Sequence, residues 1–276
     1  PQQLSNFAFS GSRLLNRVFT VVERVMVRWS RVVIVICPAL AETVRGIDPN
    51  ARVVLIENAP GSAEGAPTRD EALAVREAHG FAPDTPVVLY TGTFEAYQGL
   101  DLLFLAMAIV RAARPDVRLL LAGGKASQVA QAREQAKAAG IGDVTVFAGE
   151  RPAGEIPAYL LAADVLVSPR SRGTNTPLKI YQYLRSGRAI VATRLLTHTQ
   201  VLSDETAVLT EPTVAAFAEG MIRALSDPSL GVTLGGNARD LAETKYSYAA
   251  YLERTRQACQ ALTEPPAPGA AIKGVA

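Results

Sequence analysis

The 276-residue chain is poor in the residues that build redox, metal and nucleic-acid sites. Its two cysteines, Cys37 and Cys259, lie far apart. The first ends an apolar strand and the second falls on a helix, a usage that fits inert thiols in a reducing compartment better than a disulfide. The two histidines, His79 and His198, have no Cys or carboxylate at ligand spacing, so no protein-held metal is expected. A formal charge of +2 is too small to make nucleic acid the main partner, and no RNP-like or zinc-finger pattern is present. Long apolar runs are missing too. The strongest, 32–41, contains Pro38 and falls short of the roughly 18 to 20 residues that span a bilayer. No charged start followed by an apolar core marks a signal peptide. The chain opens on Pro1 and runs straight into a structured pattern, as a fragment or trimmed chain does.

What remains is an ordinary globular composition, 49% apolar and 20% charged, enough for one large domain or two smaller ones. Residues 12–29 carry Leu14, Leu15, Val18, Val22, Val25 and Met26 at helical spacing, interleaved with Arg13, Arg17, Arg24 and Arg28. This basic amphipathic helix fits either packing on a sheet with solvated arginines or lying on an anionic membrane surface, and the first is the simpler reading. A strand at 31–37, a short helix at 39–44 and a strand at 53–57 follow. Residues 58–68, rich in Pro, Gly, Ala and Ser, read as a linker.

Beyond it the alternation is regular. Helices are expected at 69–79, 100–113, 127–139, 156–162, 177–186, 214–225 and 247–262, and strands at 87–90, 118–122, 144–147, 165–168, 189–192 and 207–209. Short apolar strands separated by helices call for an α/β fold with a parallel sheet covered on both faces. Ligands of such sheets sit beyond the carboxyl ends of the strands. The tail, 263–276, reads as disordered.

Three loops fall on that rim. The first runs from Gly92 through Thr93 and Gln98 to Gly99; the second contains Gly123; the third holds Arg170, Arg172, Thr174, Asn175 and Thr176. Between them a strand closes on Gly149, Glu150 and Arg151. In the third loop Thr176 reads as a helix N-cap with Pro177 at the first helical position, which leaves unpaired amides and a positive helix end for an anion. Lys179 stands in the first turn. It shares a face with Gln182 and Tyr183, while Ile180, Tyr181 and Leu184 share the packing face. An ordinary capped helix after a buried strand explains this segment as well, until the other loops are counted.

The order of a Gly92-to-Gly99 loop, a Leu-Ala-Gly-Gly turn at 121–124, a Phe-x-Gly turn at 147–149, the 159–169 segment from Tyr159 through Asp164 to Pro169, and a Gly187-to-Thr193 strand resembles the GT-B glycosyltransferases. The resemblance is to the carboxyl-terminal, donor-binding half of glycosyltransferase family 4, and it covers residues 31–262. It implies a Rossmann-like doubly wound parallel sheet at 85–262, reached through a linker and connecting helix at 61–84. Residues 1–60 would be the remnant of a second, acceptor-side Rossmann-like domain.

The activity implied is retaining, metal-independent transfer from a UDP- or GDP-linked sugar to a glycan or lipid-linked acceptor of the bacterial envelope. No cofactor is implied beyond that co-substrate. The setting implied is cytoplasmic, with peripheral contact at the inner face of the plasma membrane as an option. Lys179, Arg172 and Thr174 would act at the reacting groups. Gly92, Thr93, Gln98, Gly99, Gly123, Gly149, Glu150, Arg151, Arg170, Asn175, Thr176 and Gln182 would hold the donor, with the base near 147–151 and the ribose near Gln182.

The chain departs from the family pattern in two places. Two glutamates eight residues apart become Thr174 and Gln182, and the cations of the first loop become Thr93 and Gln98. Arg170, Arg172 and Lys179 are the candidates to replace that charge. A catalytically silent nucleotide-sugar binder or scaffold is the alternative. A dinucleotide oxidoreductase lacks its G-x-G-x-x-G here, and a phosphorylase would need a pyridoxal lysine or inorganic phosphate.

Overall fold

A computed structural model describes residues 13–59 and 66–263. The start of the expected first helix, the middle of the linker and the tail at 264–276 lie outside them. The chain divides into two units, one made of residues 13–57 and 249–263 among those described, the other of 58–248.

In chain order the elements are α1 (Arg13–Trp29), β1 (Val33–Val35), α2 (Pro38–Ile47), β2 (Val53–Leu55), α3 (Arg69–Ala78), β3 (Val87–Thr91), α4 (Leu100–Ala113), β4 (Arg118–Ala122) and α5 (Ala126–Ala138). They continue with β5 (Thr145–Gly149), α6 (Ile156–Ala162), β6 (Val165–Ser168), α7 (Leu178–Ser186), β7 (Ala189–Thr193), α8 (Leu196–Thr199), β8 (Val208–Thr210), α9 (Val214–Ser226), α10 (Pro228–Thr244) and α11 (Tyr248–Thr263).

In the first unit β1 and β2 pair in parallel, and Val27, Val35, Ala41 and Val44 form a small core. α1 buries Val27 but leaves Val18, Val22, Val25, Met26 and Trp29 exposed, against the expectation that this face packs on a sheet. α11 belongs here rather than with 85–262: Arg254 pairs with the buried Glu57 at 3.3 Å, and Arg52 Nη1 donates to the Ala261 carbonyl at 2.7 Å. Cys37 is buried and Cys259 exposed, both as free thiols, as the reading against a disulfide expects.

The second unit is a six-stranded sheet in the order β5-β4-β3-β6-β7-β8, parallel throughout. Its strands are continuous apolar runs because both faces are covered. Val88 and Tyr90 point into one core with Leu103, Phe104 and Met107 of α4 and Phe217 and Met221 of α9. Val87 and Leu89 point into the other with Leu160 of α6, Ile180 and Leu184 of α7 and Ala238 of α10. At the amino ends of the strands the Asp164 carboxylate accepts from the Val87 amide at 2.8 Å and from Arg76 at 3.0 Å. Arg76 also donates to the carbonyls of Ala82, Pro83, Thr85 and Ala162, which fastens α3 and α6 to the sheet.

α10 was not expected from the sequence. Gly231, Gly235 and Gly236 within it weaken the helical signal. Gly235 has a packing reason: a Cβ there would lie 2.0 Å from the Gly187 carbonyl oxygen at the end of α7. Gly236 has no neighbour within 4 Å. Gly235→Ala is therefore expected to destabilise the chain by about 1–3 kcal/mol, whereas Gly236→Ala should stabilise it by about 0.5–1 kcal/mol; urea denaturation of the two variants checks the contrast.

Candidate active site

Chain order β3-β4-β5 runs outward on one side of β3, and β6-β7-β8 runs outward on the other. The order reverses between β3 and β6, and a crevice opens at the carboxyl ends of the strands at such a reversal. The loops that follow these two strands, 92–99 and 169–177, are the first and third of the Gly-rich loops. They touch. The Ser171 amide donates to the Tyr97 carbonyl at 3.2 Å. Gly99 has φ 73°, and a Cβ on it would lie 2.0 Å from the Pro169 carbonyl oxygen. The β4 loop joins from the other side, where a Cβ on Gly123 would lie 2.1 Å from the Gly92 carbonyl oxygen. The Gly123 amide donates in turn to the Gly149 carbonyl at 2.7 Å.

Two buried cations occupy this junction. Lys179 reaches out of the first turn of α7 and sets Nζ 3.8 Å from the centroid of the Tyr90 ring, close under Gly92. Nζ is shielded from solvent and has no hydrogen-bond partner. Burial, and then the nearby Arg170 cation, hold its pKa well below the ordinary lysine value. Arg170 is buried as well, its guanidinium 5.0 Å from the centroid of Tyr97. Nη1 donates to the Asn175 carbonyl and to Thr197 Oγ1, both at 2.7 Å, while Nε is buried without a partner. Burial lowers this pKa too. Thr176 Oγ1 and Gln98 Oε1 are likewise buried and unpartnered. Arg170 and Lys179 have no carboxylate partner among the described ion pairs.

The other expected residues are placed as follows. Thr93 is exposed, its carbonyl accepting from the Tyr90 hydroxyl at 2.7 Å and its Oγ1 from Gln98 Nε2 at 3.4 Å. Asn175 is half-buried, and Arg172 and Thr174 are exposed. The Thr174 carbonyl accepts from Gln200 at 2.7 Å. Glu150 is exposed, and Arg151 folds back onto the Ala148 carbonyl at 2.8 Å. Gln182 is half-buried on α7.

Two local expectations are corrected. The α7 N-cap is Pro177, extended at ψ 137°, with the helix starting at Leu178, so Thr176 does not cap it. The residue before a proline is pushed out of the helical region, and here the proline itself stays extended, which moves the start on by one. Tyr183 lies one turn after Lys179 on the same helix face, but it does not offer its hydroxyl to a ligand. It is fully buried, its hydroxyl accepts from the Thr91 amide at 3.0 Å, and burial pushes its pKa up to about 12.

Tyr90, Tyr97, Thr197 and His198 were missed in the sequence. Their one signal was position, at or just beyond strand carboxyl ends. His198 has no exposed surface. Nδ1 lies 2.7 Å from the Thr193 carbonyl, which can only accept, so the proton is on Nδ1. Nε2 therefore accepts the Ser168 hydroxyl at 2.8 Å.

The sequence profile of the family described as glycosyl transferases group 1 matches residues 72–241, more than half of the chain. The chain belongs to this family. Among relatives, it is 26% identical over 194 residues to a GDP-mannose-dependent monoacylated alpha-(1-6)-phosphatidylinositol monomannoside mannosyltransferase of Corynebacterium glutamicum, covering 68% of this chain and 50% of that protein. It is 33% identical over 109 residues to a GDP-mannose-dependent alpha-(1-6)-phosphatidylinositol monomannoside mannosyltransferase of Mycolicibacterium smegmatis, covering 39% of this chain and 28% of that one. The chain thus spans no more than half the length of these curated relatives. Among solved structures, Anabaena Alr3699/HepE in complex with UDP superposes with a TM-score of 0.78 at 17% identity, over 94% of this chain and 70% of that one. Sucrose-phosphate synthase from Thermosynechococcus elongatus does so with 0.77 at 24%, over 92% and 64%. These likenesses show the GT-B, Rossmann-like fold.

His198 sets a pH dependence. Burial lowers its pKa from 6.5 to about 3. Between these values the unfolded chain binds a proton that the folded chain refuses, so stability falls as pH drops below 6.5 and this contribution levels off near 3. The slope should approach about 1.4 kcal/mol per pH unit in that window. Urea unfolding of wild type and His198→Gln at pH 7, 6, 5 and 4 should show a shallower decline in the variant.

Proposed function

We propose that the crevice binds the diphosphate of a nucleotide-sugar and that the chain is the donor half of a retaining, metal-independent glycosyltransferase. The observation that carries this reading is the pair Arg170 and Lys179, buried together with unpartnered nitrogens and no carboxylate to neutralise them. An uncompensated buried cation costs several kcal/mol, so such a pair is sustained by a ligand of opposite charge. A diphosphate supplies that charge. A relative dependent on GDP-mannose and a fold neighbour crystallised with UDP favour a nucleotide carrier.

The chemistry follows from the charge. In transfer of a glycosyl group the bond between the anomeric carbon and the diphosphate oxygen breaks, and negative charge grows on the leaving oxygen. Lys179 and Arg170 stabilise it, and one aimed donor is worth about 3 kcal/mol. They stand in for the cations absent at Thr93 and Gln98, which also removes the need for a divalent ion. Because Nζ and Nε are shielded in the free chain, binding requires the loop at 92–99 to shift, and its residues Gly92, Thr93, Glu95 and Ala96 are already exposed. The ribose is assigned to Gln182 and the base to the turn at 147–151. Retention of configuration and a lipid-linked or glycan acceptor are carried from the family resemblance. The exposed apolar face of α1, flanked by Arg17, Arg24 and Arg28, is a surface suited to peripheral membrane contact.

Thr174 and Gln182, in place of two glutamates, favour one second reading: a binder that does not turn over. Calorimetric titration with UDP, GDP, ADP and their hexose conjugates, with and without EDTA, tests the proposal. One base should bind in the micromolar range with no effect of EDTA, and Lys179→Met should weaken the diphosphate at least tenfold while leaving the bare nucleoside unchanged. Equal weakening of both removes the phosphate assignment, and binding without sugar transfer to any acceptor by the full-length protein selects the silent binder.

A further inference from the structure

Arg170 is an unusual residue to bury without a carboxylate, and something must fix its five-donor head in one orientation. The structure shows what does so. Nη1 is held by two close oxygens, the Asn175 carbonyl of its own loop and Thr197 Oγ1 of α8, each at 2.7 Å, with Asn175 Oδ1 farther off at 3.4 Å. The Thr197 hydroxyl spends its own proton on the same Asn175 carbonyl at 2.6 Å. One hydroxyl therefore accepts from the arginine and donates to the loop that carries it, closing a three-membered hydrogen-bond ring around Nη1. A valine in place of Thr197 would keep the shape and lose both bonds.

The position of Thr197 is set in turn by its neighbour. The His198 ring bridges the last residues of two adjacent strands, Thr193 of β7 through Nδ1 at 2.7 Å and Ser168 of β6 through Nε2 at 2.8 Å. The Thr193 hydroxyl completes the connection by donating to the Arg170 carbonyl at 2.7 Å. α8 is only four residues long and cannot hold itself in place by its own hydrogen bonds. The buried ring is what pins it to the sheet. It does so as the neutral tautomer, which adds no third cation beside Arg170 and Lys179.

We propose that Thr197 and His198 are a positioning pair for donor binding: His198 anchors α8 to the ends of β6 and β7, and Thr197 uses that anchor to hold the Arg170 guanidinium and the 170–176 loop in their diphosphate-binding geometry. Neither residue touches the ligand; both act through Arg170. The proposal rests on the assignment of the crevice to a diphosphate.

The test is titration of the chain with a nucleoside, its monophosphate and its diphosphate, using the base that the wild type binds. Thr197→Val should weaken the diphosphate at least tenfold and leave the nucleoside within twofold, and Thr197→Ser, which restores the hydroxyl, should recover most of the loss. His198→Asn, which keeps a donor near Nδ1 but loses the Nε2 acceptor, should give an intermediate loss with the same selectivity. Circular dichroism melting of each variant confirms that the fold persists; if His198→Asn does not fold, the two Thr197 variants decide alone. Equal weakening of nucleoside and diphosphate, a serine variant no better than valine, or no effect of Thr197→Val overturns the proposal. If the wild type itself binds no diphosphate, the underlying assignment of the crevice fails with it, an outcome distinct from selective binding that ignores Thr197.

Discussion

Two cations buried without a counter-charge are the constraint around which the second unit is arranged. A lysine and an arginine placed so close repel each other, and each loses its hydration. The fold offsets part of this cost with polarisable and polar neighbours: the Tyr90 face beneath Lys179, the Tyr97 face beside Arg170, and the Asn175 and Thr197 oxygens on Nη1. It does not supply the anion. Tyr90 cannot do so, because burial raises its pKa well above the ordinary value and keeps the phenol neutral. On the proposed reading, the missing charge belongs to a ligand.

The sheet order puts the pair where a ligand can reach it. β3 and β6 are paired neighbours at the switch point, and the loops beyond β3, β4 and β6 are pressed together closely enough that Gly99 and Gly123 admit no side chain. Glycine at these two places removes the Cβ atoms that would force the loops apart. The same closeness brings a lysine on α7 under the β3 loop, where the proposed diphosphate would bind. Charge that the family pattern places in that loop, and that Thr93 and Gln98 do not provide, is here delivered from across the crevice.

Much of the fold was legible in the sequence because its signals are local. Apolar runs such as 118–122 and 165–168 became buried parallel strands with the expected bounds, and Gly99 and Gly187 marked element ends as αL residues. α10 was hidden by three glycines, of which Gly235 has a tertiary reason in its close approach to the Gly187 carbonyl. In the site, Lys179 and Arg170 could be named from their place on the rim. Their partners could not, since Tyr90 and Tyr97 precede them by many residues and resemble ordinary core or loop aromatics. His198 was considered only as a metal ligand and set aside. Its role depends on Ser168 and Thr193 converging on one ring, which no spacing in a single sequence reveals. The capping role of Thr176 failed because Pro177 stays extended, and the ligand-facing role of Tyr183 because its hydroxyl is spent inside the fold on the Thr91 amide.

The most direct measurement is urea unfolding of wild type and Lys179→Met, each with and without the nucleoside diphosphate. The account predicts that the variant is more stable than wild type in the free state, because a buried charge without a counter-charge is removed, and that the diphosphate stabilises only the wild type. A variant that is less stable when free and is stabilised by the diphosphate as much as wild type would contradict it.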